Sequence, residues 1–283
     1  MFAIQYGLLI SFALSSITGI SGVASTGTTM QRFFGDSYPT APIFFWNFRM
    51  QFGSLLVVYL LNVFVALYIP LTKLAYILAS MNLMRVAYVM QYVVNAEKLA
   101  LMGFLENGKM LKIICIVQGV LASVIAGCAY VSSSNAEYIA FVATLTPAEE
   151  LGPYKYFVYV LCTIGVLGRI PQLINPIQGA ERFMAEGKSL PSDKGEQTML
   201  EFAVGFTALN YITIWAFVLG LTFVVPDVTP IALFMAIVCG TFVLFMAKTI
   251  KEIDDYGFNI RPMLFFLVLI SVMFGASVLA LAA

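Results

Sequence analysis

Apolar residues gather along the chain into eight runs, about 3–24, 43–68, 71–94, 110–131, 154–174, 199–225, 229–250 and 262–283, with polar residues collected between them. Each run is long enough to cross the hydrocarbon of a bilayer as a helix, which satisfies its own backbone hydrogen bonds where water is absent. The pattern predicts an all-α, polytopic membrane protein with about eight transmembrane helices. No Lys or Arg precedes Arg32, so the first run lacks the basic stretch of a secretory signal and reads as a retained helix.

Composition narrows the chemistry. Of 283 residues, 61% are apolar and only 11% are charged, against about 25% charged in soluble domains. The sequence contains no histidine, which excludes imidazole acid–base catalysis and histidine-ligated haem, copper or zinc. Cys115, Cys128, Cys162 and Cys239 all fall inside apolar runs without CxxC spacing, as packing residues do. No base, nucleophile or metal constellation appears, so neither an enzyme nor a cofactor is expected. A net charge of zero without a polybasic segment argues against nucleic acid as a partner.

Where the few charges fall is more informative. With the spans numbered 1–8, the side bearing the N-terminus holds Lys73 and Lys155, with acidic Glu137, Glu149, Glu150 and Asp227. The opposite side holds Arg32, Lys98, Lys109, Lys112, Arg182, Lys188, Lys194, Lys248, Lys251 and Arg261. By the positive-inside tendency this basic side faces the cytoplasm, or the matrix or stroma of an organelle, and both termini face away from it.

An internal duplication is visible. Met30-Gln31-Arg32-Phe33-Phe34-Gly35 aligns with Ala180-Glu181-Arg182-Phe183-Met184-Ala185, and Phe48, Phe52 and Leu55 align with Phe202, Phe206 and Leu209. Pro70-Leu71 matches Pro230-Ile231, and Gly103-Phe104 followed by Met110-Leu111 matches Gly257-Phe258 followed by Met263-Leu264. A repeat of four spans gives two parallel halves, residues 1–131 and 154–283, joined by an extracytoplasmic segment 132–153. Any solute site would then lie between the halves near the midplane.

No carboxylate lies near the middle of a span; Glu201, at the basic edge of span six, is the nearest. This disfavours proton- or sodium-coupled carriage. Three arginines, Arg49, Arg85 and Arg169, lie one to two turns inside the basic ends of spans two, three and five. They could form a pocket for a carboxylate, a phosphate or an anionic lipid headgroup, or they could snorkel to lipid phosphate, one of them paired with Glu201. Asn47 and Gln51, spaced i,i+4 on one helical face, Asn82 and Asn210 are either cavity-lining or hydrogen-bonding glue between helices. Pro171 and Pro176 bend or end span five, as a hinge or as a plain terminus.

Pro171-Gln172 near the basic end of span five, with Phe206, Leu209, Asn210 and Trp215 in the next span, resembles the PQ-loop families, which include SWEET-type sugar facilitators and lysosomal amino-acid exporters. The resemblance covers about residues 154–250 and implies a triple-helix bundle, Gln172 and Asn210 at a solute pathway, and Asn82 as a site asparagine. Span one carries Ser21-Gly22 where the duplication would place a first Pro-Gln, and eight spans exceed that family's seven.

Two functions follow as expectations. One is a transporter or facilitator, uncoupled or weakly coupled, for a small polar or anionic metabolite. The other is a non-catalytic subunit that binds anionic lipids and partner chains, or self-associates.

Overall fold

The computed structural model describes residues 1–35, 38–39, 41–144, 152–225, 228–250 and 257–282. Glu149, Glu150, Asp227, Lys251 and the Lys248 side chain lie outside the described residues. The fold is helical: α1 (Ala3–Ala24), α2 (Thr26–Phe34), α3 (Pro42–Tyr68), α4 (Thr72–Val93), α5 (Ala96–Leu101), α6 (Lys109–Ser133), α7 (Ala136–Thr144), α8 (Gly152–Ile174), α9 (Pro176–Glu181), α10 (Lys194–Val224), α11 (Val228–Thr249) and α12 (Ile260–Ala282). The eight long helices coincide with the eight apolar runs. The four short ones lie at helix ends, and α7 occupies part of the 132–153 connection.

Seven helices, α1, α3, α6, α8, α10, α11 and α12, are long and apolar enough to cross a membrane. The eighth long helix, α4, carries Lys73, Asn82, Arg85 and Gln91 within 22 residues. It nevertheless runs between the same two ends of the bundle as its neighbours. At one end the Thr72 amide donates to the Tyr138 hydroxyl (2.9 Å), and at the other the Tyr92 hydroxyl donates to Glu201 (3.2 Å). The i,i+3/i+4 spacing of its buried face (Leu74, Leu78, Met81, Asn82, Arg85, Val89, Tyr92) turns the polar residues into the protein rather than toward lipid.

Helices pair in chain order: α1 with α3, α4 with α6, α8 with α10, and α11 with α12. The halves meet where α3 packs on α10, and α10 also touches α4. Close approach uses small residues, as membrane helix contacts do. A Cβ on Gly22 would stand 2.1 Å from the Phe52 ring, and one on Gly165 would stand 2.7 Å from Trp215.

At the basic end, two phenylalanines plug the bundle in similar ways. Phe104 follows Gly103, whose φ is +65°, and stacks on Phe34 with centroids 4.5 Å apart. Phe258 follows Gly257, φ +76°, and forms an antiparallel bridge with Met184. The Ala185 amide donates to the Gly257 carbonyl (2.9 Å) and the Asn259 amide to the Phe183 carbonyl (2.7 Å). A left-handed glycine turns the chain so that the next side chain points inward, a conformation costly for other residues. Each plug also reaches the other half: Phe104 touches Phe202 (6.2 Å) and Phe258 touches Trp46 (5.8 Å).

Pro171 lies in the last turn of α8, which stops at Ile174, and Pro176 opens α9 at its first position. There its missing N–H goes unneeded. Asn175 caps α9 by accepting from the Gln178 amide (3.2 Å). The two prolines thus mark a helix end and a helix start.

Candidate functional site

A cavity of about 210 Å³ lies among α3, α8, α10, α11 and α12. On α8 and α12 its lining occupies the part nearer the basic end, Leu161 to Gln172 and Met263 to Met273, and on α10 it takes the middle of the helix, Val204 to Trp215. Eleven residues of helix rise about 17 Å, so the cavity reaches from the basic end toward the middle of the bundle. Only α3, through Trp46, Asn47, Met50 and Val57, represents the first half among its walls. The site therefore sits chiefly within the second set of four helices. The expected place, evenly between the halves, is instead filled by the packed contact of α3 with α10.

The polar end of the cavity is built on Arg169. Its guanidinium lies 4.7 Å from the Tyr211 ring centroid and 5.4 Å from that of Phe266, positions that give cation–π attraction of about 0.5–2 kcal/mol. Arg169 Nη1 donates to Gln172 Oε1 at 2.6 Å. Gln172 is held in turn by α9, which folds back so closely that a Cβ on Gly179 would stand 2.8 Å from its Cγ. Thr207 and Tyr211, one turn apart on α10, line the cavity, and their buried hydroxyls have no hydrogen-bond partner among the described residues. Among the described residues no Asp or Glu lines the cavity. A guanidinium offers five donors, so this group presents positive charge and unused donors to an otherwise apolar space.

The other arginines go elsewhere. Arg85 is buried in α4, where it donates to Asn82 and lies 5.6 Å from the Tyr59 ring on α3. Arg49 lies against Phe245 of α11, 5.7 Å from its centroid, and does not line the cavity. Equal depth placed the three at one level, but each helix turns its arginine toward a different neighbour. Glu201 is taken by Lys98 Nζ (3.1 Å) and Tyr92, and among the described residues no arginine forms an ion pair.

The amides divide as well. Asn47 lines the cavity, with its Nδ2 donating to the Ile43 carbonyl of its own helix (2.8 Å). Gln51 is buried one turn deeper and does not reach the cavity. Asn210, fully buried, donates to Ser54 Oγ (3.1 Å) and so ties α10 to α3. Asn82 serves Arg85. Of the expected site residues, Arg169, Gln172 and Asn47 come together, whereas Arg49, Arg85, Gln51, Asn82 and Asn210 do not join them. The residues not anticipated are Thr207, Tyr211 and Gly168, of which Thr207 and Tyr211 form an i,i+4,i+8 series with Trp215 on one face of α10.

Comparison with protein-family models, with curated proteins and with solved structures finds no match for this chain.

Proposed function

We propose that this protein is a membrane transporter or facilitator for a small anionic solute, uncoupled or weakly coupled, with the Arg169 cavity as its binding site. The observation that carries the reading is an arginine facing a cavity with a single protein acceptor and no carboxylate among the described lining residues. By insertion scales an arginine costs about 2.5–3.5 kcal/mol at the centre of a span and less toward its ends, and an arriving carboxylate or phosphate offsets the part that Arg169 bears. In this reading all eight long helices span the membrane, α4 shielded by its neighbours, with the basic end cytoplasmic. Support for a duplicated, two-fold arrangement comes from the matching plugs at Phe104 and Phe258 and their reciprocal contacts with the opposite half. The segment pairing Phe183–Ala185 with Gly257–Asn259 is then the gate on the basic side, and Pro171 and Pro176 bound the bend that lets it move.

The test is uptake by the purified protein in liposomes, across a panel of carboxylates and phosphates. The expected result is uptake of at least one anion, abolished in Arg169→Ala and retained in Arg49→Ala, whose side chain lies outside the cavity. A second reading, as an accessory subunit, draws on α12, only 17% of whose apolar window is buried, which leaves a long face for a partner chain. Absence of any flux, together with copurification of a stoichiometric partner, would establish that reading instead.

A further inference from the structure

The cavity has two approaches, and they are unequal. Toward the basic end it is floored by Trp46, Phe183, Phe258 and Met246. The floor is fastened by the two backbone hydrogen bonds between Phe183–Ala185 and Gly257–Asn259. Sideways the wall is thin. α8 packs closely on α9 and α10 and α12 on α11, whereas α8 and α12 approach each other through side chains rather than by close backbone contact. They meet near the far end, where the Tyr154 and Ser277 hydroxyls are 2.9 Å apart, and near the basic end through Arg169 and Phe266.

Between these points the cavity lining is also the outer surface. Ile164 is 49% exposed and Phe265 is 66% exposed, yet both line the cavity. Gly168, exposed on α8, has open space where a Cβ would stand. In a membrane this seam faces acyl chains.

The interior is graded along the membrane normal. Arg169 lies five residues from the end of α8, about 8 Å of helix rise from the basic end. Deeper toward the midplane the lining is apolar: Leu161, Ile214, Trp215, Val238 and Met273. A cationic end near the headgroup level and an apolar end toward the midplane is the polarity of a lipid lying in the basic-side leaflet.

We infer that the ligand of this cavity is a single-chain anionic amphiphile, its carboxylate or phosphate on Arg169 and its chain toward the midplane, entering from the bilayer between α8 and α12. The inference rests on reading the Arg169 cavity as a binding site and narrows the solute class. A small water-soluble anion would leave the apolar part of the cavity unfilled. An amphiphile uses the seam and both ends.

The test is photo-crosslinking of the full chain in phosphatidylcholine liposomes with palmitic acid bearing a mid-chain diazirine, adducts being mapped by peptide mass spectrometry. The expected result is adducts concentrated on Leu161, Ile164, Leu269 and Met273. Unlabelled palmitate or hexadecyl phosphate should compete, the stronger competitor naming the headgroup, while hexadecanol and inorganic phosphate should not. Gly168→Phe, which fills the seam and keeps the arginine, and Arg169→Gln should each lower cavity adducts about tenfold or more, as loss of access or of charged hydrogen bonds implies. Adduct density on the cavity no higher than on lipid-facing Ile116 and Val120 of α6 would overturn the inference, as would hexadecanol competing as well as palmitate. Adducts in the cavity without anion flux would sustain it while refuting transport. Flux of water-soluble anions without cavity adducts would refute it while sustaining transport.

Discussion

The two halves of the bundle pair their helices alike but close differently. In the first half the outer members, α1 and α6, pack against each other. Gly7 of α1 lies so close that a Cβ would stand 2.9 Å from Cys128, and Gln118 donates to Ser15 at 3.0 Å. In the second half α8 and α12 meet through side chains, and both line the cavity. Side-chain size explains the difference. α1 turns Gly7, Ser11, Ser15, Gly19 and Gly22 inward, so its backbone can come close. α8 instead carries Arg169, and α12 presents Phe265 and Phe266. Between α8 and α12 stand the Arg169 guanidinium and the Phe266 ring, whereas Gly7 lets α1 come directly against Cys128 of α6.

The largest test compares the two plugs. Phe104→Ala removes a ring buried between Phe34 and Phe202, which should lower stability by about 3–5 kcal/mol. Phe258→Ala should cost less, because one side of that ring already borders the cavity and the cost of a truncation grows with the new void it leaves. Thermal unfolding in detergent reads the difference. If Phe258→Ala instead destabilises as much as Phe104→Ala, the second half is packed like the first.

Smaller, and sharper in position, is adding one methyl group to each half. Gly22→Ala forces a Cβ into the Phe52 ring and should cost about 1–3 kcal/mol through overpacking. Gly168→Ala meets nothing and should stay within about 0.5 kcal/mol of the parent. A melting shift of equal size in both would remove the contrast between a closed and an open half.

Ser15→Ala should follow at about 0.6 kcal/mol, the usual worth of an interhelical hydrogen bond in a membrane protein. It should open no anion flux, because the α1–α6 contact also rests on glycine packing. Measured flux through this variant would mean that the first half holds a latent pathway of its own.

The sequence made the long helices legible and the site only in part. Run length and apolar content locate a membrane helix, so the eight runs agree with the long helices closely. The short helices α2, α5, α7 and α9 have too few turns to carry a periodic signal. Helix rotation is the quantity that run length omits. Arg49, Arg85 and Arg169 share a depth, but whether they share a pocket depends on which neighbour each faces, and that is set by packing. The spacing Thr207, Tyr211, Trp215 did carry rotational information, since i,i+4,i+8 positions share a face. Asn210, beside them in sequence, points instead to Ser54 of α3. Gln172 entered through its place beside Pro171, yet its observed partner is Arg169, three residues earlier on the same helix.

The smallest effect concerns what ties the halves together at the basic end. Lys98 Nζ lies 3.1 Å from Glu201, with both side chains about a third exposed, and Lys98 also lies over the Tyr92 ring at 4.8 Å. Coulomb attraction at such exposure is screened by water and salt, so the coupling should be a few tenths of a kcal/mol. A double-mutant cycle of Lys98→Ala and Glu201→Ala, followed by thermal unfolding at low and at high salt, measures it. The coupling should shrink as salt rises, because screening acts on exposed pairs. A coupling above about 1 kcal/mol that does not respond to salt would mean that the pair is shielded from water, and that the two halves are fastened at this end by charge as well as by the aromatic plug at Phe104.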